Sequence, residues 1–158
     1  MTRNLVLLRH GKSDWDVPAT DRERPLTARG RRQAREAGEW LAEHGPALDL
    51  AVVSTARRTT QTWELASAAL ADPPPVRPEE AAYSFSATDL LGLVRALGDE
   101  RAVVLAGHDP ALEDLLDALV GRPVRMRTSE LAVLELPGWD TAGDGAARLV
   151  AHGRPPVA

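Results

Sequence analysis

Leu5-Val6-Leu7-Leu8 is an unbroken apolar run that stops abruptly at Arg9-His10-Gly11. A short apolar run without alternation predicts a strand buried on both faces, with its polar end where the strand surfaces. Residues 12–27 are polar, contain Pro18 and Pro25, and end at Thr27, which is placed to cap a helix. Over residues 28–44, Ala34, Ala37, Trp40 and Leu41 share one helical face, while Arg32/Glu36 and Arg35/Glu39 pair on the other. Gly45-Pro46 ends that helix and makes His44 a helix-end residue facing the dipole.

A second strand is predicted over residues 48–53, stopping at Ser54-Thr55, and a helix over 57–70 that buries Trp63, Ala66, Ala69 and Leu70. Asp72-Pro73-Pro74-Pro75 reads as a rigid extended connection. Ser86 with Asp89 forms a capping-box signal for a helix that runs to Leu97 and stops at Gly98. Residues 101–106 predict a third strand. Asp109 and Pro110 then read as N-cap and first residue of a helix burying Leu112, Leu115, Leu116 and Leu119. Two last strands, over 131–136 and 147–151, are expected as a hairpin near a sheet edge, with 153–158 a frayed tail.

This alternation predicts a three-layer α/β/α sandwich with a mainly parallel, mixed central sheet, and 158 residues suit one domain over 1–158. Open sheets of this kind bind ligands beyond the carboxyl ends of their strands. Three predicted strands end in Arg9-His10, in Ser54-Thr55-Ala56-Arg57-Arg58 and in Gly107-His108. Two histidines and two or three arginines therefore converge on one rim.

Composition narrows the chemistry. With no cysteine, disulfides, thiolate metal sites and a cysteine-phosphatase mechanism are excluded. A net charge of -4 gives no support to nucleic-acid binding, and the charge is uneven: residues 1–35 hold nine basic and four acidic groups (+5), leaving -9 for the rest. An anionic substrate near the amino-terminal part fits that asymmetry, with Arg31, Arg32 and Arg35 read as a solvated helix face. No apolar stretch has membrane length and no leader pattern is evident, so a soluble, cytoplasmic protein without a membrane partner is expected. Nothing in the pattern speaks to oligomeric state.

Arginines around a histidine, with a helix amino terminus starting just after His108, suit a doubly charged oxyanion such as phosphate. A neutral imidazole attacks phosphorus in line while guanidiniums stabilise the equatorial oxygens, the role metal ions fill elsewhere. No carboxylate cluster has clear metal spacing, so neither a metal nor a cofactor is expected. Gly11-Lys12-Ser13 invites a nucleotide P-loop reading, but that motif needs a glycine where this chain has Val6.

Leu8-Arg9-His10-Gly11 resembles the RHG signature of the histidine phosphatase (phosphoglycerate mutase-like) superfamily. Ser54 to Thr62 is similar to its second motif, an arginine three residues before a Gln-Thr pair, and Val104 to Pro110 resembles its third. Asp21-Arg22-Glu23-Arg24-Pro25-Leu26-Thr27 and the short chain look like the SixA-like phosphohistidine phosphatase branch. The resemblance implies that His10 is the phosphorylated nucleophile and that Arg9, Arg58 and His108 hold the phosphoryl group. Sequence physics does not separate Arg57 from Arg58; the Gln61-Thr62 spacing of the family selects Arg58. Larger members carry a glutamate general acid between the second and third motifs, where this chain is shortened. Glu80 is the positional candidate, Asp21 the candidate from the amino-terminal loop. Asp109, where asparagine is usual, reads as the helix cap, and His152 as a surface residue. Tyr83 and Phe85 are candidates for the cleft border, with core packing expected for at least one.

The expected activity is a metal-independent phosphatase acting on protein phosphohistidine, since little chain lies between Thr62 and His108 to form a lid. The alternatives are a small phosphorylated metabolite as substrate with the same mechanism, or a non-catalytic phosphoprotein-binding module.

Overall fold

The computed structural model describes residues 2–158. Its centre is β1 (Arg3–Arg9), in which Leu5, Val6, Leu7 and Leu8 are all fully buried. Successive side chains of a strand point to opposite faces, and here each face meets its own helical layer. Leu5 and Leu7 pack with Leu90, Val94, Leu112, Leu115 and Leu116. Val6 and Leu8 pack with Ala37, Leu41, Trp63 and Ala66. The unbroken apolar run is thus the signature of a strand with no solvent face.

The elements follow in the order α1 (Ala28–His44), β2 (Leu50–Ser54), α2 (Arg57–Ser67), β3 (Val76–Glu79), a 3₁₀ turn (Glu80–Ala82), α3 (Ala87–Arg95), β4 (Ala102–Gly107), α4 (Ala111–Val120), β5 (Leu131–Leu136), β6 (Arg148–Gly153) and β7 (Pro156–Val157). They build a seven-stranded sheet in the order β3-β2-β4-β1-β5-β6-β7. β3, β2, β4 and β1 run parallel, whereas β5 pairs with β1 antiparallel and β6 and β7 continue as antiparallel neighbours. The mixed three-layer sandwich is therefore the fold.

Several local expectations change. The amino end of α4 is capped at the backbone by Pro110, not Asp109. Asp109 still serves the helix, because its Oδ1 accepts the N–H of Glu113 at 3.2 Å. The stretch after the proline run, to which patterning assigned no element, is a strand: Val76–Glu79 hydrogen-bonds to β2 as a parallel edge strand. Residues 153–158 are not a frayed tail. Gly153, at φ 132°, reverses the chain so that Pro156 and Val157 pair back onto β6, and Arg154 Nη1 donates to Thr128 O at 2.5 Å. A left-handed backbone angle, a buried proline and one arginine anchor hold what composition alone marks as loose.

One topological feature positions the site. β1 and β4 are parallel neighbours in register from Asn4↔Ala102 to Arg9↔Gly107. The helix after β1 packs on one face of the sheet and the helix after β4 on the other. Adjacent strands whose chains leave in opposite directions open a crevice at their carboxyl ends, the usual ligand position in open α/β sheets.

Candidate active site

His10 follows the last residue of β1, and His108 follows the last residue of β4. Because the strands pair in register, the two imidazoles meet with ring centroids 5.1 Å apart and planes tilted by 55°. They line a cavity of about 310 Å³ together with Arg9, Arg58, Asp21 and Tyr83. A larger groove of about 480 Å³ lies elsewhere, between α1 and the β6–β7 turn; no two histidine rings stack in it and His10 and His108 do not border it.

The loop that carries His10 is held by close backbone approach. A Cβ on Gly11 would lie 2.6 Å from Gly30 O, and a Cβ on Gly30 would lie 2.1 Å from Lys12 O. Thr62 Oγ1 accepts the Gly11 N–H at 3.0 Å and donates to Arg58 O at 2.7 Å. Gln61 Oε1 accepts the Leu26 N–H at 2.9 Å. The Gln-Thr pair one turn beyond Arg58 therefore fastens the first turn of α2 to both the histidine loop and the amino-terminal loop.

His10 Nδ1 lies 2.7 Å from Gly11 O. A carbonyl only accepts, so the ring proton sits on Nδ1 and the Nε2 lone pair is free. Burial pushes the His10 pKa down to about 3, and the neighbouring His108, Arg58 and Arg9 push the same way. The ring is neutral at physiological pH, the state an imidazole nucleophile requires.

His108 Nε2 lies 2.7 Å from Ser54 Oγ and 3.2 Å from Thr59 Oγ1. Burial, followed by Arg58, lowers its pKa to about 3 as well. A hydroxyl donating to Nε2 leaves the proton of the neutral ring on Nδ1. That nitrogen is buried without a partner, as are Arg9 Nε and Arg58 Nε. Unmet buried donors cost roughly 1–3 kcal/mol each, and the oxygens of a phosphoryl group are the acceptors such a set fits.

The two arginines of the second motif diverge. Arg58 is buried and lines the cavity, with Nη1 donating to Asp21 O at 2.7 Å and Nη2 to Asp21 Oδ2 at 3.2 Å. Arg57 is exposed, and its Nη1 reaches Glu23 O at 3.4 Å, outside the cavity. Arg9 Nη1 donates to Met126 O at 2.9 Å and sits 3.4 Å from Asp109 Oδ2.

Both acid candidates are held as anions. Asp21 accepts a hydrogen bond from the Tyr83 hydroxyl and pairs with Arg24 at 2.7 Å and with Arg58, which together hold its carboxyl well below the usual carboxylate range. Glu80 pairs with Arg22 and accepts the Thr55 hydroxyl at 2.6 Å, which keep its pKa at about 2. Its side chain is 65 % exposed and does not border the cavity.

The cleft also contains Arg24 and Trp15, to which sequence patterning assigned no role, beside Tyr83 and Phe85, the expected border residues. Arg24 is buried, bonds Ser13 and Asp21, and stacks 3.6 Å from the Trp15 ring centroid. Trp15 and Phe85 are 72 % and 78 % exposed at the cavity border. Neither Tyr83 nor Phe85 enters the core: Tyr83 is fixed by Asp21, with its ring 5.4 Å from that of His108. The family-like stretch from Asp21 to Thr27 was the only available signal for Arg24. His152 is partly buried, with Nε2 2.6 Å from Arg125 O and 3.2 Å from Glu130 Oε2, away from the cavity. Among the described residues no group of three or more histidine, aspartate and glutamate side chains is placed to hold a metal ion, and no helix is long and apolar enough to cross a membrane.

A profile of the histidine phosphatase superfamily (branch 1) matches residues 5–92. An uncharacterised protein of Mycobacterium tuberculosis is 33 % identical over 156 residues, covering 90 % of this chain and 96 % of that one. Among solved structures, a candidate phosphohistidine phosphatase SixA from Nakamurella multipartitia aligns with a TM-score of 0.85 and 31 % identity over 100 % of this chain and 98 % of that one. A second candidate SixA, from Agrobacterium tumefaciens, aligns with a TM-score of 0.84 and 28 % identity, covering 97 % of this chain and 98 % of that one.

Proposed function

The chain belongs to the histidine phosphatase superfamily, in its SixA-like branch, and we propose that it hydrolyses protein phosphohistidine through a covalent phosphohistidine on His10. The observation that carries this reading is the His10–His108 pair, its rings 5.1 Å apart, with Arg9 and Arg58 beside it and the His10 proton held on Nδ1 by Gly11 O. His10 Nε2 attacks phosphorus as the bond to the leaving nitrogen breaks. Arg9, Arg58 and His108 bind the equatorial oxygens, and water then cleaves the His10–phosphorus bond. Asp21 acts by holding Arg58 in place. Glu80 holds Arg22.

The open mouth supports a protein substrate. Trp15 and Phe85 come from different loops and stand exposed at its border, where aromatic side chains commonly anchor protein partners. A small phosphorylated metabolite is the second reading, favoured by the cavity volume of about 310 Å³, which is within the range of small-ligand sites.

Rapid-quench assays with a labelled phosphohistidine protein and a panel of sugar and nucleotide phosphates test both readings. Acid-labile label on wild type, absent from His10→Ala, with faster turnover of the protein, is the expected result. Faster turnover of a metabolite overturns the protein reading. Binding of the phosphoprotein with neither label nor hydrolysis overturns the enzymatic one.

A further inference from the structure

The leaving group needs a proton, and the carboxylates at Asp21 and Glu80 are both committed to cations. A third carboxyl group reaches the same cavity. Asp109 follows His108 directly, borders the cavity with both histidines, and has only 15 % of its side chain exposed. Its Oδ1 accepts the N–H of Glu113 at 3.2 Å, which fixes the side chain at the head of α4. Its Oδ2 lies 3.4 Å from Arg9 Nη1, at the phosphoryl-binding guanidinium itself. We propose that Asp109 is the proton donor to the leaving group, an assignment that rests on the reading of His10 as the nucleophile.

The surroundings suit a donor. Burial is the main influence on Asp109 and raises its pKa to about 6; the Glu113 carboxyl in the first turn of α4 pushes the same way, and Arg9 from β1 opposes them. Among the described residues no second cation pairs with Asp109, whereas Asp21 has both Arg24 and Arg58. A bound phosphoryl group draws on the Arg9 charge and adds negative charge of its own. Both effects favour the protonated acid, so substrate binding prepares the donor at neutral pH.

The step balances. The His10 Nε2–phosphorus bond forms, the phosphorus–leaving-group bond breaks, and the Asp109 proton passes to the departing atom. In the second half, water forms a bond to phosphorus and gives a proton to the Asp109 carboxylate, and the His10–phosphorus bond breaks. Free enzyme is restored with Asp109 protonated.

Leaving-group dependence tests the assignment. Asp109→Asn keeps an oxygen for the Glu113 N–H, and thermal unfolding confirms that the variant folds. Turnover is measured on p-nitrophenyl phosphate, phenyl phosphate and an alkyl phosphate, with acid-labile label on His10 followed in parallel. The expected result is a loss that grows as the leaving group becomes more basic. It reaches about 100-fold or more on the alkyl ester, at least tenfold beyond the loss on p-nitrophenyl phosphate, and the alkaline limb of the wild-type pH profile disappears. An equal loss on all three esters, or no loss, overturns the assignment even though His10 still labels. Absence of label on wild-type His10 overturns the nucleophile reading instead.

Discussion

Arg58 and Asp21 are joined twice, through Nη1 to the backbone carbonyl at 2.7 Å and through Nη2 to the carboxylate at 3.2 Å. The amino-terminal loop thereby sets the position of a guanidinium that belongs to α2. A carboxylate in such a pair orients the cation and stays ionised, which is unsuitable for a proton donor at neutral pH.

Arg58→Ala is expected to lower kcat/KM by about 100-fold or more, the scale for removing a donor to a developing phosphoryl charge. Asp21→Asn keeps the shape but releases the guanidinium, and a loss of about tenfold is expected. Arg57→Ala, outside the cavity, should change activity less than about twofold. Steady-state kinetics on one aryl phosphate checks the ranking; a larger loss for Arg57 than for Arg58 contradicts it.

Acid should destabilise the fold through its two site histidines. Both have native pKa values near 3 against 6.5 in the unfolded chain, so the unfolded state binds more protons between those values. Their contribution is complete above pH 6.5 and is lost progressively as pH falls toward 3, on the order of a few kcal/mol. Asp109, raised from 3.8 to about 6, acts oppositely within its own window. Urea midpoints at pH 7 and pH 5 should therefore fall for wild type and fall less for His10→Gln.

Two glycines separate packing from catalysis. A Cβ on Gly30 meets Lys12 O at 2.1 Å, and a Cβ on Gly38 meets Ala66 O at 2.1 Å. Each alanine variant should lose about 1–3 kcal/mol of stability by overpacking. Gly30→Ala should also lower kcat, because it displaces the loop bearing His10, whereas folded Gly38→Ala should retain it. Chemical denaturation and activity at a temperature where both variants are folded make the comparison.

Trp15→Ala and Phe85→Ala should raise KM for a phosphohistidine protein by about tenfold more than for p-nitrophenyl phosphate, since exposed aromatics at an interface act as anchors. Equal shifts on both substrates would point to a small-molecule site.

Treatment with a chelator should leave turnover unchanged, because Arg9 and Arg58 offset the phosphoryl charge in the proposed step while neutral His108 donates a hydrogen bond. Loss of activity restored by a divalent ion would refute that.

The four buried residues of β1, the helical face of α1 and the leucines of α4 were legible because periodicity reports burial directly. The polar strand ends likewise pointed to His10 and His108, which the parallel register of β1 and β4 brings together; one such end alone reads equally well as an incidental polar rim. Sequence patterning did not reveal that residues 153–158 return as an edge strand, because pairing onto β6 depends on Gly153 and Arg154 meeting distant backbone. Nor did it separate Arg57 from Arg58 without a family spacing, as adjacent residues on a helix differ only in which one the packing of α2 turns inward. The acid was the least legible part of all. Patterning offered Asp21 and Glu80 and read Asp109 as a helix cap; only burial and the placement of Arg9, Arg22, Arg24 and Arg58 make the first two fixed anions and leave the third able to hold a proton. Local patterning determined the strands, helices and polar rim of this protein; tertiary structure decided the protonation states, because these depend on charges brought together from positions far apart in the sequence.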